Sequence, residues 1–134
     1  MLKLSFQTTK KEELLELTDK IRNLVRENKI KEGLAVIFCP HTTCGLTINE
    51  QADPDVRIDI LMSLRNIVPE TLPFSHSEGN SPAHIKASLL GSSLTILVEE
   101  GELQLGTWQG IFLCEFDGPR SRKVWVKLLE TDKH

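Results

Sequence analysis

The chain of 134 residues contains no tyrosine, so no phenol is available as an acid in whatever chemistry it performs. No apolar run approaches the ~20 residues that span a bilayer. The N-terminus, MLKLSFQTTK, alternates apolar and polar residues, where a secretory leader would carry an unbroken apolar core. No membrane partner is expected, and the expected location is the cytoplasm. Charge of one sign is missing too: 16 basic against 19 acidic residues leave a net charge of -3, which excludes bulk attraction to nucleic acid or to an anionic membrane. Cysteine is scarce and odd in number. With no CxxC pair, and with Cys39 and Cys114 closing apolar runs, reduced core thiols fit better than a disulfide framework. A metal knot of Cys39, His41 and Cys44 lacks a matching second half.

The 40% hydrophobic content suits one compact domain, residues 1–134, burying roughly two thirds of its unfolded surface. Leu2, Leu4 and Phe6 alternate as a half-buried strand would. Thr9 with Glu12 reads as a capping box opening a helix through Leu14, Leu17, Ile21, Leu24 and Val25 to about Asn28. Gly33 to Cys39 reads as a central strand, continued by Leu46 to Ile48 after the break at Pro40 to Gly45. Asp53 before Pro54 caps a second helix, with Val56, Ile60, Leu61, Leu64 and Ile67 as its buried stripe and Pro69 beyond its end. Ser81 before Pro82 caps a short third helix that Gly91 terminates. Strands follow at Leu94 to Val98, Leu103 to Leu105, Trp108 to Phe116 and Val124 to Leu129. This order predicts an α+β fold, a mixed and largely antiparallel sheet with helices packed on it.

Chemistry is concentrated in the breaks. Three of the four histidines, His41, His76 and His84, lie in polar segments rich in glycine and proline. His41 precedes Thr42 and Thr43 at a strand end, where side chains often reach a cleft. His76 and His84 flank Asn80 and a helix N-terminus, a place that favours an anion. Three histidines with Glu50, Asp53 or Glu78 would suffice for a transition-metal site, although no HExxH spacing supports it. Asp53 and Asp55 already have structural roles at a helix start, whereas Glu50 is free to act as a base or to orient a histidine ring. Thr107, Trp108 and Gln109 stand between glycines, as a site for a planar polar ligand would, unless Trp108 is core. Arg120 and Arg122 beside the Asp117-Gly118 turn are candidate phosphate ligands, or simply surface charges.

Taken together, HTTCGLTINEQADPDVRID, HSEGNSPAHIKASLLGSSL, GTWQGI and EFDGPRSRKVWV, in this order from about Pro40 onward, resemble the YjbQ-type family. The resemblance implies an α+β fold assembled as a homotrimer with sites near subunit boundaries. It makes His41, His76 and His84 counterparts of the family's histidines, which would hold a divalent metal ion. The family is commonly labelled secondary thiamine-phosphate synthase, which implies joining hydroxymethylpyrimidine diphosphate to thiazole phosphate with loss of diphosphate, the word secondary pointing to a side activity. Under that chemistry Mg2+, the helix start at Ser81 to Ala83, and Arg120 would stabilise the leaving diphosphate. His84 or His41 would donate to a departing oxygen, Thr42, Thr43, Asn80 and Thr107 would line the substrate, Trp108 would stack on the pyrimidine, and Gln109 would read its edge. Phe74 stands where many members have a more polar aromatic. Two other readings remain open: a hydrolase with a Zn2+-like ion at the three histidines, and a non-catalytic trimer binding a phosphorylated metabolite.

Overall fold

The computed structural model describes residues 1–132. In chain order the elements are β1 (Leu2–Gln7), β2 (Glu13–Glu16), α1 (Thr18–Glu27), β3 (Gly33–Phe38), β4 (Cys44–Glu50), α2 (Pro54–Ile67), α3 (Ser81–Leu90), β5 (Ser93–Glu99), β6 (Glu102–Leu103), β7 (Gln109–Glu115) and β8 (Ser121–Glu130). The fold is α+β, as the element order suggests, and the strands divide into two sheets of order β1-β8-β3-β5-β6 and β2-β7-β4. Every ladder among the described residues is antiparallel.

Period-two alternation in β7 explains the layering. Ile111 and Leu113 face one core with Ala35, Ile37, Val98, Val124 and Val126 of the larger sheet and Ile21 and Val25 of α1. Phe112, Cys114 and, just beyond the strand, Phe116 face a second core with Leu64, Ala83 and Ala87 of α2 and α3. The small sheet is thus sandwiched, and α3 lies against the β4 side of it.

Two local expectations are corrected. Residues 9–17 do not form a helix. The Glu13 carboxylate, not Glu12, accepts the Thr9 and Lys10 amides at 2.7 and 3.1 Å and so closes a turn. Glu13–Glu16 then pairs with β7, and the helix begins only at Thr18. Leu14 and Leu17 are buried, but the open edge of β7 supplies ladder bonds that override the helical spacing. In α3, Asn80 occupies the cap position, with Ser81 as the first helical residue.

The strand expected at Leu103 to Leu105 is only Glu102–Leu103, pairing with the end of β5; elsewhere the signals hold with adjustments. Asp53 accepts the Asp55 amide at the start of α2. Leu64 is buried there but Ile67, in the overhanging last turn, is 66% exposed. Gly91, at φ 93°, stops α3. No helix of the described residues is long and apolar enough to cross a membrane.

Candidate functional site

The step from β3 to β4 carries His41 outward from two rigid strands. Its Nε2 accepts the Lys123 amide of β8 at 2.9 Å. A neutral ring with that nitrogen accepting must carry its proton on Nδ1, leaving an Nδ1–H donor. Burial, and then the nearby Arg122 guanidinium, lower the pKa of His41 from its ordinary 6.5. A proton NMR titration is therefore expected to find His41 losing its charge below the pH at which a free imidazole does; a midpoint at or above that value would contradict this environment.

His84 enters from the first turn of α3, and its ring meets that of His76 edge-on at 5.3 Å between centroids. Two adjoining depressions open here. One of about 340 Å³ is lined by Pro40, His41, Thr42, Thr43, Glu78, Asn80, His84, Arg120 and Arg122. The other, about 520 Å³, shares His41, Thr42 and His84 and is closed by Cys44, Ala87, Ser88, Gly91 and Ser92. A further depression of about 390 Å³ among Glu32, Leu34, Leu97, Glu99, Glu100, Thr131 and Asp132 lies at the other end of β3, and its charged groups are all acidic, so the histidine cleft is the better candidate.

The cleft's cation is held in place. Arg120 donates from Nε to the Asp117 carbonyl and from a terminal nitrogen to Asp117 Oδ2, both at 2.8 Å. Asn80 Nδ2 donates to the same oxygen at 2.9 Å. Burial raises the Asp117 pKa, but the Asn80 and Arg120 bonds outweigh it and hold the carboxyl below its usual range. Beneath lies a pair that sequence reasoning missed. Arg122, expected as a phosphate ligand or a surface charge, is only 3% exposed, and Glu115 is fully buried. Arg122 Nε donates to Glu115 Oε1 at 2.8 Å, and a terminal Arg122 nitrogen donates to Glu115 Oε2. Arg122 also donates to the Thr43 hydroxyl at 2.8 Å. The Thr8 hydroxyl donates to Glu115 Oε1 and accepts the Arg120 amide, each at 2.8 Å. One available signal was Glu115 itself, a charge inside the apolar run IFLCEF, because buried charges demand partners.

The helix start is a poorer anion cradle than expected. Pro82 has no amide hydrogen, and the Ala83 and His84 amides both bond to the Asn80 carbonyl, at 3.0 and 3.4 Å.

The remaining expected residues are elsewhere in the chain. Cys44 pairs with Glu115 at one end of the β4–β7 ladder and Glu50 with Gln109 at the other, about 20 Å away at ~3.4 Å per residue. There Glu50 accepts the Ala52 amide at 3.0 Å and Gln109 Oε1 accepts the Gly106 amide at 2.7 Å. Trp108 is 64% exposed, not core, and Thr107 lies beside it. Within one chain neither Glu50 nor the Thr107–Gln109 segment reaches the histidines. His76 is the most peripheral of the three, its Nε2 lying 3.7 Å from Glu78. Among the described residues no three His, Cys, Asp or Glu side chains converge as a metal-ligand set; with Nε2 of His41 engaged by Lys123, the three histidines as placed do not fit a Zn2+-like ion.

The three cysteines are buried and free. Cys44 hydrogen-bonding lowers the pKa of Cys39, while the same contact and burial push Cys44 up.

Residues 2–131 match the model of a family described as UPF0047 protein YjbQ-like. UPF0047 protein MJ1081 of Methanocaldococcus jannaschii is 51% identical over 129 residues, covering 96% of this chain and 94% of that one. YugU of Bacillus subtilis is 48% identical over 131 residues, covering 96% and 99%. Among solved structures, an uncharacterised conserved YjbQ/UPF0047 protein of Clostridium acetobutylicum matches with a TM-score of 0.94 at 51% identity, over 96% of this chain and all 100% of that one. A protein of Sulfolobus solfataricus described as YbjQ-like matches with a TM-score of 0.93 at 33% identity, over 97% and 96%.

Proposed function

The chain belongs to the YjbQ-like UPF0047 family, and from that premise we propose that its histidine cleft binds a diphosphate ester and that the protein is a thiamine-phosphate-synthase-type transferase. The observation that carries this reading is the pairing, in one polar cleft, of a His41 ring whose free nitrogen is a donor with an Arg120 guanidinium fixed on Asp117. Both are suited to oxygen anions.

The reaction breaks the bond between the pyrimidine's exocyclic carbon and diphosphate oxygen, and forms a bond from that carbon to the thiazole nitrogen. Negative charge grows on the departing oxygen, so donors aimed at it lower the barrier. Arg120 would hold the terminal phosphate, while His41 Nδ1–H and His84 would donate towards the leaving oxygen, with the Thr42 hydroxyl at the rim. Mg2+ would arrive as the counter-ion of the diphosphate. A stacking role for Trp108 requires that a second copy, in a homotrimer, supply its Trp108–Gln109 segment to this cleft, because within one chain the segment does not reach it.

The test is thiamine phosphate formation from the two half-substrates with Mg2+, by wild type and by a folded His84→Ala variant. Product from wild type and at least a tenfold loss in the variant, about 1.4 kcal/mol of barrier, is the expected result. Absence of product from wild type sinks the transferase reading. If inorganic diphosphate still raises the melting temperature, a non-catalytic binding protein takes its place.

A further inference from the structure

Below the floor of the histidine cleft, Cys39 Sγ and Cys44 Sγ are 3.0 Å apart, and the proposed transfer reaction uses neither. Their positions are set independently. The Cys39 amide bonds to the Ser92 carbonyl at 2.8 Å, whereas Cys44 opens β4 in register with Glu115. The two anchors present the sulfurs face to face, about 1 Å beyond the ~2.05 Å of a disulfide. The intervening Pro40–Thr43 segment carries His41, and Cys44 itself lines the cleft beside His41 and His84. Cys114, in contrast, faces the second core.

We propose that Cys39 and Cys44 are a reversible modification site, closing as an intramolecular disulfide at the base of the His41 segment when a peroxide enters through the cleft. One sulfur attacks the peroxide, breaking the O–O bond, and becomes a sulfenic acid as the first water leaves. The second sulfur then displaces the sulfenic oxygen as another water and forms the S–S bond. Two thiols and one hydrogen peroxide thus yield one disulfide and two waters; a dithiol reductant reverses the bond. This inference is independent of the transferase reading.

The experiment treats reduced wild-type protein with hydrogen peroxide at a dose that fully oxidises free glutathione, then denatures it in N-ethylmaleimide for intact-mass and tryptic analysis. Cys39 and Cys44 share the single tryptic peptide 32–57 and Cys114 lies on another, so the bond is read directly. The expected result is a fall from three adducts to one, retained at Cys114, with peptide 32–57 two hydrogens lighter and three adducts restored by dithiothreitol. Cys114→Ser should still form the lighter peptide, whereas Cys39→Ser and Cys44→Ser should not. Three adducts after peroxide, a loss at Cys114, or a bond between chains would overturn the proposal.

Discussion

Arg122→Ala is expected to destabilise the protein by about 3–5 kcal/mol, the cost of leaving one buried charge without its partner. Glu115 is fully buried and Arg122 nearly so, and relaxation to water would require opening the junction of β7, β8 and the Thr43 segment. Urea unfolding of the variant is the direct measurement, and a change below about 1 kcal/mol would mean that water reaches the carboxylate. The double variant Glu115→Leu/Arg122→Met should recover much of the loss, because two apolar groups remove both desolvation costs.

The same pair predicts a pH dependence. Burial raises the Glu115 pKa, but the bonds from Arg122, Thr8 and the Asp117 amide outweigh it, so the folded value lies below the ordinary 4.5. A depressed carboxyl contributes stability that is complete above the unfolded value and is lost as pH falls through the folded one. Wild type should therefore lose stability on acidification below about pH 4.5 more steeply than the double variant. Equal acid limbs would show that Glu115 is not the group responsible.

Gly118→Ala is expected to have the next largest effect and to act on stability and cleft together. A Cβ there would stand 2.3 Å from the Lys10 carbonyl oxygen, 2.8 Å from Thr8 Oγ1 and 2.9 Å from Glu115 Cγ. The first obstacle is backbone and cannot swing away. Overpacking of this kind typically costs about 1–3 kcal/mol. Since Thr8 accepts the Arg120 amide, the shift should also move Arg120 and weaken inorganic diphosphate binding in calorimetry. Gly106→Ala is the control: its nearest obstacle is Gln109 Oε1 at 3.2 Å, the end of a flexible side chain outside the cleft. Equal effects from the two substitutions would show that the close approach at Gly118 is not the cause.

How far the amino-acid sequence could be read depended on whether a signal was local. Asp53-Pro54 and Gly91 marked helix ends correctly because caps and left-handed residues are satisfied by neighbours a few positions away. Thr9 misled for a related reason: its turn is local, but the strand Glu13–Glu16 exists only because β7, nearly a hundred residues later in the chain, offers it an edge. The histidine segments were recognisable by composition, and the structure brings His41, His84, Asn80 and Arg120 to one cleft. It sets Glu50 and Trp108 at the other end of the β4–β7 ladder, a separation that no residue type announces.

By itself, then, the sequence determined the class of the fold, the start of α2 and the stop of α3, its reduced core thiols, its family and the segments that carry polar chemistry, because each rests on composition, local backbone preference or motif. Tertiary structure alone decided which of those segments meet. Strand register put Lys123 against His41 and so chose its tautomer. It buried Arg122 on Glu115 while leaving Arg120 at the surface, and set Cys39 against Cys44. Those outcomes arise from long-range pairing, in which the partner that satisfies a buried charge or an open ladder edge is fixed only when the sheets close.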